Sequence, residues 1–232
     1  MGSIKYTVSV VVHNNLRWTM GCLRAVEEFS WDHELIVTDN ASTDGTREWL
    51  EKHHPGARIV RNPENLGWTI PQNRALEISE GEFFVTLNND TVVCQDWLDQ
   101  MVVPFEDRMV AQVGIHGFLS ELAILKDTGK PRPSVGPRVE FIEGSCMMIP
   151  TALARKEGLF DPAYGFGWWE DPDLSFRLRT RGYKLAQVDI PVVHYRGQTV
   201  KLIKGKIDIE GIKNKNEKLF MSRWDQMLRR DS

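Results

Sequence analysis

The chain has 232 residues, 41% hydrophobic and 26% charged, with a net charge of −3, which suits one large soluble domain or one domain with an extra lobe. No apolar run approaches the roughly 18 to 20 residues that span a bilayer, and the three scattered cysteines, Cys22, Cys94 and Cys146, argue against a disulfide framework or a CxxC metal site. The N-terminus enters a strand-like run at once, with no basic leader region and no small-residue cleavage site, so a reduced, cytoplasmic protein is expected.

In chain order, TVSVVVH (Thr7 to His13) is β-branched and nearly unbroken, as in a strand buried on both faces. LRWTMGCLRAVEEF follows, with Leu16, Met20, Leu23 and Val26 at helical spacing. ELIVTD is a second buried strand, and STDGTREWLEKHH opens with the cap-type residues Ser42 and Asp44 before running as a helix. ARIVRN reads as a third strand, TIPQNRALEISEG as a helix ended by Gly81, and EFFVTLN as a fourth strand. The second half is less regular. VAQVGI reads as a strand, and residues 116 to 138 contain the Pro/Gly-rich loop DTGKPRPSVGP. RVEFIEGSCMMIP is a strand and TALARKEG a short helix. DPDLSFRLRTRGY is a better helix, with Pro172 at its first position and Gly182 past its end, and KLAQVDIPVVHY returns to strand. From Tyr195 onward ten Lys/Arg face five Asp/Glu, a basic tail on a more acidic body.

Strands alternating with helices imply an α/β fold with a mostly parallel central sheet flanked by helices. Ligands on such sheets sit beyond the carboxyl ends of the strands. His13, Asn14 and Asn15 lie there after the first strand, Asp39 and Asn40 after the second, and Asn88, Asn89 and Asp90 after the fourth. The first strand–helix turn, HNNLRW, has no glycine, so a G-x-G-x-x-G dinucleotide site is excluded; a P-loop and a G-x-S-x-G elbow are also absent. What remains is several carboxylates and one late histidine, a set suited to a divalent metal with oxygen-rich ligation.

Six stretches in order, VSVVVHNN, LIVTDNASTDGT, NPENLGW with QNRAL, FFVTLNNDTVV, WWEDPDLSFRLRTRGYKL and VVHYRGQTV, resemble family 2 glycosyltransferases of the GT-A fold, most closely the rhamnosyltransferase-like members. The resemblance runs from about Thr7 to Val200. It implies a single GT-A (Rossmann-like) domain over residues 1–200, with a donor half to about 115, a smaller acceptor half over 116–200, and a helical basic tail over 201–232. It also implies an inverting transfer from a UDP- or dTDP-sugar. Asp39 would read the base edge, with His13 and Asn15 lining base and ribose, Asn88 and Asn89 at the ribose and diphosphate, and Asn73 nearby. Asp90 and His194 would hold Mn²⁺ or Mg²⁺. Asp171 would be the general base, ionised because it caps its helix, with Glu170 orienting the acceptor. Arg74 sits where it could meet phosphate, and Trp168 or Trp169 could give a stacking platform.

Two other classes stay open: a nucleotidyltransferase of similar architecture, and a non-catalytic nucleotide-sugar-binding relative. A saccharide or lipid-linked glycan is the preferred acceptor and modified nucleic acid a minority reading. The basic tail offers a peripheral contact with an anionic membrane.

Overall fold

The structure, a computed structural model, describes residues 5–117, 141–190 and 192–231. Most of the Pro/Gly-rich loop of the sequence reading lies outside them.

The donor half follows the predicted alternation: β1 (Tyr6–Val12), α1 (Leu16–Phe29), β2 (His33–Asn40), α2 (Thr46–His53), β3 (Arg58–Asn62), α3 (Thr69–Ile78) and β4 (Phe83–Asn88). Then come β5 (Thr91–Val92), α4 (Trp97–Val102), β6 (Val110–Gly117), β7 (Phe141–Pro150) and α5 (Thr151–Glu157). The chain continues as α6 (Glu170–Thr180), β8 (Lys184–Gln187), β9 (Val193–His194), α7 (Gln198–Ile203) and α8 (Ile209–Asp231).

Seven strands form one sheet in the order β3-β2-β1-β4-β7-β6-β8. β1 pairs in parallel with both β2 and β4, and its register sets Val12 opposite Asp39 and Val11 opposite Asn88. The polar ends of the three strands therefore finish level, on one edge. β7 runs antiparallel to β4 and to β6 and is the one reversed strand of this sheet; β6 and β8, parallel to each other, run in the direction of β4. β5 and β9 pair separately, with Thr91 opposite His194.

β1 is buried along its whole length because both faces are covered. Its Tyr6, Val8, Val10 and Val12 pack with Leu23 and Val26 of α1 and Trp97 of α4. The other face of the sheet, with Ile36, Phe84, Ile142 and Ile149, packs against Ala75 and Leu76 of α3 and Leu174 and Leu178 of α6. Asp44 serves two helices. Its Oδ2 accepts from Leu16 N–H at the start of α1 (2.9 Å), and its Oδ1 accepts from the Thr46 N–H (3.2 Å) and hydroxyl (2.5 Å) at the start of α2. Burial pushes this carboxyl up, but those three donors outweigh it and hold it below the usual carboxylate range.

The predicted tail is not a tail. α8 lies on the acceptor half, where Phe220 is fully buried among Trp169, Phe176, Tyr164 and Phe141. Asn216 Nδ2 reaches the carbonyls of Tyr164 and Gly167, each at 2.7 Å. A boundary at residue 200 therefore separates nothing that packs independently. Among the described residues no helix is long and apolar enough to cross a membrane.

Candidate active site

β4 ends in Asn88, and the next two residues turn under α1 and α7. Asp90 is buried, with His194 Nε2 3.2 Å from its Oδ1 and the Gln198 N–H donating to its Oδ2 at 3.1 Å. Pairing of β5 with β9 is what carries His194 to that place. Burial pushes the Asp90 carboxyl up, but His194 and the Gln198 amide together hold it below the usual range. The Asn88 amide nitrogen also lies 3.2 Å from His194 Nε2, and Asn89 donates to Thr19 of α1 at 3.1 Å. His194 Nδ1 is buried without a partner.

The facing wall is built by β7 and the start of α6. Gly144 N–H donates to Asp171 Oδ2 at 3.1 Å. Burial raises the Asp171 carboxyl to about 7, with the Glu143 carboxylate adding to the rise. Its neighbour Glu170 is buried with Oε2 unpartnered, and burial and the Asp171 charge push it well up. The helix begins at Glu170, so Asp171 and Pro172 stand inside its first turn rather than at its cap and first position. The expectation that capping lowers the Asp171 pKa is corrected: desolvation wins over the backbone N–H groups of Gly144 and of Asp171 itself. Trp168 and Trp169 before the helix adopt φ of 66° and 78°, left-handed conformations that cost non-glycine residues energy. The amide of Asn216 on α8 holds the carbonyls around them.

Both walls face one cavity of about 380 Å³. Of the predicted residues it is lined by His13, Asn88, Asn89, Asp90, Glu170, Asp171 and His194. His13 Nδ1 lies 2.6 Å from the Asn40 carbonyl oxygen, which can only accept, so Nδ1 carries the proton. Trp168 lines the cavity, whereas Trp169 is core against Phe220.

Three predicted residues lie behind the wall. Asp39 is buried and accepts from the Ser42 N–H at 2.9 Å. Asn15 opens α1 in a left-handed conformation, its carbonyl accepting from Trp18 and Thr19. Asn73 spends both ends of its amide on the backbone of Phe160, at 2.7 and 3.0 Å, which corrects its assignment to the donor cleft. Arg74 likewise donates to Asn62 Oδ1 at 2.9 Å and not to the cavity.

Sequence reasoning missed the cavity residues Glu143, Ser145, Asn65, Trp68 and Arg196. Glu143 accepts from the Ser145 hydroxyl at 3.0 Å and pairs with Arg196 at 3.3 Å across the site. A lone glutamate in the apolar run FIEGSCMMIP was the available signal.

As for a metal, Asp90 and His194 offer one carboxylate and one imidazole already in contact, a donor set that fits Mn²⁺ or Mg²⁺. Among the described residues no group of three or more His, Cys, Asp or Glu converges, so a cation here would draw its remaining ligands from a bound anion or water.

The sequence pattern described as Glycosyl transferase family 2 matches residues 7–159, well over half of the chain. The chain belongs to glycosyl transferase family 2. That match contains the Asn88–Asp90 turn and β7 and stops short of Glu170, Asp171 and His194.

Among family 2 relatives, TuaG of Bacillus subtilis (strain 168), named as a teichuronic acid biosynthesis glycosyltransferase, is 31% identical over 117 residues, 48% of this chain and 46% of TuaG. The mannosyltransferase PcManGT from Pyrobaculum calidifontis, solved with GDP-Man and Mn²⁺, superposes with a TM-score of 0.65 at 22% identity, covering 88% of this chain and 61% of that one. TarS 1–349 of S. aureus, solved with UDP-GlcNAc, gives 0.58 at 18% identity, covering 79% and 56%. These likenesses establish the shared GT-A fold. The matched regions span less than half of the length of the curated relatives.

Proposed function

We propose that this family 2 chain is an inverting, metal-dependent glycosyltransferase that moves a sugar from a UDP- or dTDP-sugar to an acceptor hydroxyl. One observation carries the reading: the Asp90–His194 pair and the Glu170–Asp171 pair line the same cavity. The relatives support its parts. TarS was solved with UDP-GlcNAc and PcManGT with GDP-Man and Mn²⁺, while TuaG is named for teichuronic acid biosynthesis and TarS as a poly(ribitol-phosphate) β-N-acetylglucosaminyltransferase.

The donor diphosphate lies toward Asp90 and the sugar toward β7. Asp90 and His194 would hold Mn²⁺ or Mg²⁺ there, and such a cation neutralises charge as the nucleoside diphosphate leaves. Asp171 takes the proton of the acceptor hydroxyl while the new bond forms at the anomeric carbon and the bond to the diphosphate oxygen breaks. One displacement without a covalent intermediate inverts configuration. A half-buried carboxyl beside a buried one, as Asp171 is beside Glu170, does not ionise together with it near neutrality. Glu170, the more buried of the two and pushed well up by burial and the Asp171 charge, is the one that holds the proton, which leaves Asp171 as the base and Glu170 as a hydrogen-bond donor that orients it or the acceptor.

The test is a panel of nucleotide-sugars with Mn²⁺, read first as thermal shift and then as slow nucleoside diphosphate release. Release with a UDP- or dTDP-sugar, lost in Asp90→Ala, is the expected result. Pyrophosphate release from a nucleoside triphosphate would replace this reading with a nucleotidyltransferase.

A further inference from the structure

The segment from Val193 to Lys206 has an inner and an outer face. On the inner face His194, Thr199, Val200 and Ile203 line the cavity. Side chains alternate along a strand. With His194 turned in to Asp90, its neighbours Val193 and Tyr195 remain 52% and 44% exposed. In α7, Val200 and Ile203 stand three apart on the cavity side, so Leu202 falls on the far side, where it is 39% exposed. Lys201, Lys204 and Lys206 are exposed beside it. The face continues onto α1, where the Trp18 ring lies 4.4 Å from that of Tyr195 and the Arg17 guanidinium 5.8 Å from that of Trp18. Between Val193 and Ile207 there is no acidic residue, and apart from Arg196, which pairs with Glu143 on the cavity side, the basic residues are these three lysines.

We propose that this outer face docks on an anionic bilayer surface. Charge complementarity selects an anionic partner, and the aliphatic side chains select lipid over nucleic acid. Leu202 and Val193 would make no contact with a phosphate backbone. On a bilayer they enter the headgroup boundary while the lysines meet lipid phosphates. This moves the membrane contact away from α8, whose Phe220 and Asn216 are committed to the acceptor half. Docking brings the wall that carries His194 next to the lipid surface, where a lipid-carried acceptor would be met; that last consequence rests on the transferase reading, the docking does not.

The experiment is flotation with vesicles of phosphatidylglycerol and phosphatidylcholine, against phosphatidylcholine alone, over a range of salt. The full chain should float with the anionic vesicles only, and less so as salt rises. K201E/K204E/K206E should lower partition on the order of a hundredfold, and Leu202→Ser several-fold; all four positions are exposed, so folding is retained and checked by circular dichroism. Failure of the full chain to float, or flotation that neither variant reduces, overturns the proposal. So does binding of a DNA or RNA oligonucleotide at salt that abolishes flotation, if Leu202→Ser leaves that binding intact. Thermal shift with Mn²⁺ and either UDP or dTDP on the same preparations separates the two readings. A shift without flotation sinks the docking alone, whereas flotation without a shift upholds docking and sinks the transferase reading.

Discussion

As the proposed base, Asp171 stands under two opposed demands, and both can be measured. A base must be ionised, yet burial raises this carboxyl to about 7. The folded chain therefore binds the proton more tightly than the unfolded chain does. Stability falls as pH rises from the ordinary aspartate range through about 7, then levels off. Activity goes the other way, rising with pH along a limb centred near 7. Asp171→Asn should lower transfer by roughly 10²- to 10⁴-fold and raise the melting temperature at pH 8 above that of the parent. A flat rate profile between pH 6 and 8, or a variant that melts no higher, would contradict this assignment. Asp90 is held ionised by His194 and the Gln198 amide, so Asp90→Ala should abolish the Mn²⁺ enhancement of UDP binding in calorimetry, matching the parent chain in EDTA. That Asp90, His194, Glu170 and Asp171 line one cavity follows from each sitting in a short polar motif at an element's end. Asn73 and Asp39 were not placed, because which way a side chain turns depends on a partner distant in sequence. Phe160 captures Asn73 from 87 residues away, and no local pattern announces that.

At the scale of elements, strands and helices were legible to within a few residues because hydrophobic period and turn chemistry agreed over the donor half. The seam between the halves was not. It lies where Gly67 and Trp68 meet Phe166, and within the donor half a relay leads up to it: Arg74 donates to Asn62, Asn62 Nδ2 to Asn40 Oδ1 at 2.7 Å, and Asn40 Nδ2 to the Gly67 carbonyl at 2.7 Å. Gly67 has φ +76°, and a Cβ there would run into the Phe166 backbone, whose carbonyl accepts from Trp68 N–H at 2.8 Å. This loop–loop contact ties the donor half to the strained Trp168–Trp169 turn ahead of α6. Gly67→Ala should therefore cost more than about 1 kcal/mol in denaturant unfolding and depress activity further than that loss of stability explains. Loss of stability with specific activity unchanged would show the seam to be merely structural. The glycine itself was visible in NPENLGW; its neighbour was not, since Phe166 is about a hundred residues on.

For the molecule as a whole, the misjudged part was the C-terminal helix. Its charge excess reads as a solvated tail, and the apolar residues that pack, Phe220 with Leu219, Trp224 and Leu228 around it, are sparse among lysines. Arg223 and Trp224 of the same helix also reach the fully buried Asp173, at 3.1 and 3.0 Å. Phe220→Ala should cost roughly 3–5 kcal/mol, and a chain ended at 208 should lose cooperative unfolding of the acceptor half together with donor hydrolysis; unchanged hydrolysis by the shortened chain would disprove this coupling. The reversal of direction at β7 has a consequence of another kind, on the ribosome. β4 is buried throughout except at Asn88, and the neighbour that covers its outer edge, Met147 and Met148 of β7, is translated about sixty residues later. At ordinary elongation rates a nascent donor half therefore shows an open apolar strand edge for roughly 3–12 seconds. During that interval the growing chain is a template for mispairing, and a chaperone that shields strand edges should raise its yield more than extra elongation speed does.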